Sequence, residues 1–224
     1  MLVDPGQGVD AQHVFFPQAP LPRGLAHELK RAGLESVRIA EKCKFPHVTF
    51  FLNGFDSGAE GQGFCIPSIP EADIPAQPEM SLEEVTEEIL KHLEGGQKRA
   101  VIANLANLDQ VGHLGRLDLA TQAADAVDRA FARISEAAKA NGWTLMVTSD
   151  HGNAEHVEDE TGAPFGSHTA GPVPFLIQPA PGTKVRWKHQ NGSLTQVAAT
   201  YLGALGLEAP DWMEPALADL EPAE

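Results

Sequence analysis

Short apolar runs alternate with long helical stretches along this chain, and that alternation leaves few folds open. Ser36 to Ala40 (S-V-R-I-A), Ala100 to Leu105 (A-V-I-A-N-L) and Trp143 to Thr148 (W-T-L-M-V-T) read as strands, as do His47 to Leu52 (H-V-T-F-F-L) and Val173 to Ile177. A short helix is expected from about Gly24 to Arg31, closed by Gly33, and a second runs from the S-x-x-E capping box of Ser81 and Glu84 to about Leu93. The longest spans about Leu117 to Ala140. There Leu119, Ala123, Val127, Phe131 and Ile134 recur at helical spacing until Gly142 stops it. Ser193 and Gln196 form another capping box, opening a helix that closes near Gly206. Strands alternating with helices give an α/β fold, a mostly parallel sheet covered on both faces.

The punctuation is uneven. Phe15, Phe16, Pro17, Pro20 and Pro22 make an extended entry, and Asn53 to Pro78 is a Gly/Pro-rich connection longer than a compact domain tolerates without a purpose. The stretch beyond Pro210 is acidic and is expected to fray. Met1 to Asp10 holds neither a first strand nor a Gly-rich phosphate loop, so the chain reads as beginning mid-protein. Its 224 residues suit one large domain or a fragment of something larger. A formal net charge of −15 argues against a non-specific grip on nucleic acid, while local cations leave an anionic small substrate open. Cys43 and Cys65 have no repeated metal spacing and suggest a reducing compartment. With no signal-peptide-like leader and no apolar run near 18 residues, the expectation is a soluble, cytoplasmic protein without a membrane partner.

Five ligand-type side chains fall on three loops: Asp109 and His113 in N-L-D-Q-V-G-H-L-G, Asp150 and His151 in T-S-D-H-G-N, and His168 in G-S-H-T. Mixed carboxylates and imidazoles suit a pair of divalent cations of the manganese or zinc type. Each motif alone has a plainer reading: a surface helix pair, a polar turn, an unremarkable histidine. Together the pattern is harder to dismiss, because two of the loops follow apolar strands and the carboxyl edge of a parallel sheet is where working side chains gather. Asp109 and His113 stand one helical turn apart, so one face can offer both to a single ion. Gly152 lets the backbone turn so that the adjacent Asp150 and His151 can both approach. Lys44, near the start of a strand-like run, is either a solvated edge charge or a point charge for phosphate or carboxylate. His27 and His92 read as solvated helix residues, His13 and His189 lie in polar surroundings, and His156 is a candidate support for the ligands.

At these residues the chain resembles the C-terminal part of the cofactor-independent (2,3-bisphosphoglycerate-independent) phosphoglycerate mutases, of the alkaline phosphatase superfamily. The similar segments are Ile39 to Gly54 (I-A-E-K-C-K-F-P-H-V-T-F-F-L-N-G), Asn104 to Gly115, Thr148 to Glu155 (T-S-D-H-G-N-A-E) and Ser167 to Thr169, in the family's order, within about Val14 to Pro210. The resemblance implies an alkaline-phosphatase-like three-layer sandwich. It makes Asp109, His113 and His168 ligands of one manganese, Asp150 and His151 two ligands of the other, and Lys44 a contact to the substrate phosphate. It also implies interconversion of 3-phosphoglycerate and 2-phosphoglycerate through a phosphoserine intermediate, a glycolytic isomerisation. Residues 1–19 then read as a linker remnant, 20–210 as the metal-binding domain and 211–224 as an acidic tail.

The departures are as informative. The family's nucleophilic serine and a further aspartate ligand come from an N-terminal segment, and an inserted transferase domain adds arginines and a histidine. None of these has a counterpart here, so no catalytic nucleophile is assigned and a complementary N-terminal half becomes the expected partner. Cys43 and Phe55 stand where the family usually has a polar or acidic residue and a glycine, and Leu108, Gln110 and Leu114 also differ. The alternatives are another enzyme of the superfamily, a phosphopentomutase or metal-dependent phosphatase, or an inactive metal-binding fragment.

Overall fold

A computed structural model of the chain describes residues 21, 23–56, 61–94 and 99–223. The expected entry segment and residues 1–19 lie outside them.

The centre is a parallel sheet in the order β2 (Gln62–Ile66), β1 (Glu35–Glu41), β3 (Arg99–Asn104). Strand β1 is buried along all but its first residue because both faces are covered. Val37 and Ile39 pack against Val85, Ile89 and Leu93 of α2 (Leu82–Glu94) and Ile134 and Ala138 of α4 (Leu117–Ala140). On the opposite face, Ala100 meets Leu29 of α1 (Leu25–Arg31) and Leu202 of α5 (Val197–Ala204). The result is the expected α/β sandwich of three layers. Each fully buried Val, Ile or Leu contributes about 1.5–3 kcal/mol, so this double-sided packing dominates the stability of the centre.

Helix α4 covers Leu117–Ala140, and Gly142 leaves it with φ +75°, the left-handed turn that the sequence suggested. Strands β4 (Leu145–Thr148) and β5 (Phe175–Gln178) form an antiparallel pair, with Leu145 still seated on the α2/α4 core. The Ser193/Gln196 capping box is present in full ahead of α5.

Four expectations need correction. His47–Phe51 is a wide helical turn, not a strand. Pro46 enters it in helical geometry, Thr49 Oγ1 donates to the Phe45 carbonyl at 2.7 Å, and Phe50, Phe51 and Phe55 gather edge to face. The connection from Asn53 to Pro78 contains β2, whose strand character comes from pairing with β1. Ser81 does not close a box with Glu84: its N–H is donated to Glu41 Oε1 at 3.0 Å and its hydroxyl to the Pro67 carbonyl at 2.7 Å. Lastly, the acidic end is anchored. Strand β7 (Ala218–Pro222) pairs antiparallel with β6 (Thr183–Trp187), and Leu217 and Ala218 are buried. Arg186 bridges Asp219 and Glu221, and Lys188 binds Asp219, which offsets the local negative charge.

Candidate metal centre

The site lies beyond the carboxyl ends of β1, β3 and β4. Lys44 follows β1, Asp109 opens the short helix α3 (Asn107–Gly112) after β3, and Asp150 and His151 follow β4. Helix α3 puts His113 one turn after Asp109, with His113 N–H on the Asp109 carbonyl at 3.2 Å. The loop carrying His168 folds back onto α3. A side chain at Gly166 would overlap the His113 carbonyl, so glycine is required at that crossing.

Three atoms converge tightly. His113 Nε2 lies 3.3 Å from Asp109 Oδ1, His168 Nε2 lies 3.1 Å from the same oxygen, and the two Nε2 atoms are 3.2 Å apart. Ligands about 2.1 Å from a tetrahedral ion are separated by about 3.4 Å, so this nearly equilateral triangle matches one face of such a set. The donor chemistry fits as well: His113 Nδ1 is 2.8 Å from the Gly166 carbonyl, which fixes the proton on Nδ1 and leaves the Nε2 lone pair free.

His151 joins this group. Its ring stacks on His168 at 3.6 Å, its Nε2 is 3.9 Å from Asp109 Oδ1, and Asp109, His151 and His168 present ligand atoms within 4.8 Å of one another. Asp150 is the outlier: its side chain is 60% exposed, and His151 Nε2 stands 3.5 Å from its Oδ2. The family resemblance divides these five residues into two sets; the structure gathers His113, His151 and His168 around Asp109 and leaves Asp150 at the rim.

Asp109 is the hub. Lys44 is not a solvated edge charge but a buried one, and its ammonium forms an ion pair with Asp109 Oδ2. Gln110 Nε2 donates to that oxygen at 3.1 Å. Burial acts to raise the Asp109 pKa, but the Lys44 hydrogen bond and charge, with help from Asn153 and His113, outweigh it. The carboxyl is held well below the usual carboxylate range. The neighbouring His47 imidazole is pushed down, first by burial and then by the Lys44 charge, against opposing pulls from Asp150 and Asp109.

Two supporting residues carried no signal of their own in the sequence. Asn153 is buried and bonds Asp109, with its Nδ2 3.1 Å from Oδ1 and 3.2 Å from the main-chain oxygen. Glu155 receives the Asn153 N–H at 2.6 Å and the Thr169 hydroxyl, tying the D-H-G-N loop to the His168 loop. Both sit in a turn-like run, and only contacts distant in sequence reveal them. His156, by contrast, is exposed and packs edge-on to Phe165, with no contact to the ligand-type groups. His92 is buried, not solvated: it lies on the Phe64 ring and 3.0 Å from Glu88.

Residues 13–209 match a family profile described as the Metalloenzyme superfamily. A 2,3-bisphosphoglycerate-independent phosphoglycerate mutase of Methanosarcina acetivorans is 40% identical over 204 residues, and that of Desulforudis audaxviator is 41% identical over 206. These alignments cover 90% and 89% of this chain but only 39% of each relative, so the chain spans well under half of their length. A solved phosphoglycerate mutase of Leishmania mexicana, at low cobalt concentration, superposes with a TM-score of 0.79 and 31% identity, covering 88% of this chain and 39% of that one. The family profile covers most of the chain, and the chain belongs to the Metalloenzyme superfamily.

Proposed function

We propose that this chain is the metal-binding portion of a cofactor-independent phosphoglycerate mutase, which interconverts 3-phosphoglycerate and 2-phosphoglycerate in glycolysis in the cytoplasm. The observation that carries the reading is the Asp109, His113, His168 triangle with Lys44 beside it. In this reading those three hold one divalent ion: the family resemblance implies manganese, and the mixed imidazole and carboxylate donors suit zinc as well. Asp150 and His151 give part of the set for the other. Bound ions would clamp a phosphoryl group and offset charge developing on its oxygens. Lys44 contributes an ammonium in the same basin as a point charge for the substrate phosphate. His113 keeps its lone pair outward through the Gly166 carbonyl.

The nucleophilic serine and the remaining ligands of the second ion are assigned to a complementary N-terminal half. Exposure of Asp150 supports that division, since a carboxylate at the rim is accessible to groups arriving from elsewhere. Among the described residues no helix is long and apolar enough to cross a membrane.

Manganese titration by calorimetry tests the metal reading: one ion bound per chain at neutral pH is the expected result, and none would end it. Mixing with a folded complementary half should restore isomerisation. Release of free phosphate faster than isomerisation would point to a phosphatase instead.

A further inference from the structure

Asn153 is a poor choice for packing alone. Its Oδ1 is buried without a hydrogen-bond partner among the described residues, and an apolar side chain of the same shape would fill the space without that penalty. Its Nδ2, however, addresses two oxygens of one residue, the carboxylate and the main-chain carbonyl of Asp109. Those contacts also settle the amide's orientation, because the flipped form would set oxygen against two oxygens. The approach depends on Gly112, where a Cβ would overlap the amide, and on Glu155, which holds the Asn153 backbone.

The oxygen that Asn153 touches, Oδ1, is the one facing His113 and His168, while Oδ2 is occupied by Lys44 and Gln110. A carboxylate gripped only at Oδ2 could rotate about its last bond. A second grip from the buried side stops that rotation. A neutral donor suits this position, since a cation there would repel a metal and a carboxylate would compete for it.

We propose that Asn153 is the positioning residue for Asp109, aiming Oδ1 at the imidazoles and locking α3 to the D-H-G-N loop so that ligands from both loops arrive as one unit. The inference rests on the metal reading above. The test uses the whole chain titrated with manganese, and with cobalt as a spectroscopic probe. Asn153→Leu keeps the volume and removes the donor; Asn153→Ala is the second variant should leucine prevent folding, and melting in EDTA reports the fold. A folded Asn153→Leu chain should bind manganese 10–100-fold more weakly, the usual range for outer ligand partners. The visible cobalt band should also shift in position or intensity. Parent-like affinity and cobalt spectrum in Asn153→Leu, with or without a loss in Asn153→Ala, would reduce Asn153 to packing and overturn the proposal. If the unaltered chain binds no manganese, the metal reading itself fails and takes this inference with it.

Discussion

Asp109 and Asp150 both lie just beyond the carboxyl end of a strand, yet their surroundings have little in common. The Asp109 side chain is 15% exposed and touches Lys44, Gln110, Asn153 and the imidazoles of His113 and His168. The Asp150 side chain is 60% exposed and has only His151 within ion-pair distance among the described residues. One carboxylate has its geometry imposed by packed neighbours, whereas the other is free to take its geometry from whatever it meets. Ligand-type residues on a sheet edge are therefore not equivalent. What separates them is the layer of side chains behind, which decides whether a loop presents a shaped site or a mobile charge.

That contrast can be broken most directly by substitution. Asp109→Ala should abolish manganese binding and, by leaving the buried Lys44 ammonium unpaired, cost about 3–5 kcal/mol of stability in EDTA. Asp150→Ala should leave stability within about 0.5 kcal/mol, as exposed positions usually do. Calorimetry and urea unfolding check both, and equal losses in the two variants would erase the distinction.

Acid should act on the same hub in two stages. Metal should leave first, because ligand imidazoles must be neutral to bind it. In EDTA, the depressed Asp109 carboxyl contributes stability that is fully present above its ordinary value of 3.8 and is lost as pH falls through that value toward the lower folded one. Lys44→Met should flatten this acid limb in a melting series, since Lys44 supplies the main downward pull on that pKa.

A smaller effect is expected at Glu41, where burial raises the carboxyl pKa, only partly opposed by hydrogen bonds from Ser81 and Ser68. Its stabilising contribution is present in acid and fades as pH rises through the folded value. Glu41→Gln, which retains an oxygen for the Ser81 N–H, should raise the melting midpoint at neutral pH and change it little below pH 4.5. The smallest effect belongs to His156→Ala. With its ring against Phe165 rather than among the ligand-type groups, the variant should bind manganese within about twofold of the parent, against the 10–100-fold of a true ligand partner.

Legibility in the sequence followed how local each determinant is. Helix α4 and the capping box at Ser193 could be read because periodicity, caps and stop glycines lie within the segment itself. The turn at His47 could not, since β-branched and aromatic residues suit a strand until Pro46 and the Thr49 hydroxyl commit the backbone to a helical path. Strand β2 (Q-G-F-C-I) has weak alternation and depends on β1 for its shape. In the site, residue type and loop position singled out Asp109, His113, His151 and His168. Asn153 stayed hidden because an asparagine after a glycine looks like turn chemistry. Phe55 is a further case: nothing local in the sequence marks its left-handed backbone at φ +64°, where its ring packs against those of Phe50 and Phe51.

Strand β7 bears on how this polypeptide can be cut or tagged. Leu217 donates its N–H to the Thr200 hydroxyl within α5, and Gln196, the capping residue of that helix, binds the Pro215 carbonyl. Deleting the acidic stretch back to Pro215 would pull the floor from under α5. Through Leu202, it would then loosen the helical layer on the side of the sheet opposite α2 and α4. A tag inserted after β7 needs a spacer that leaves the pairing with β6 intact.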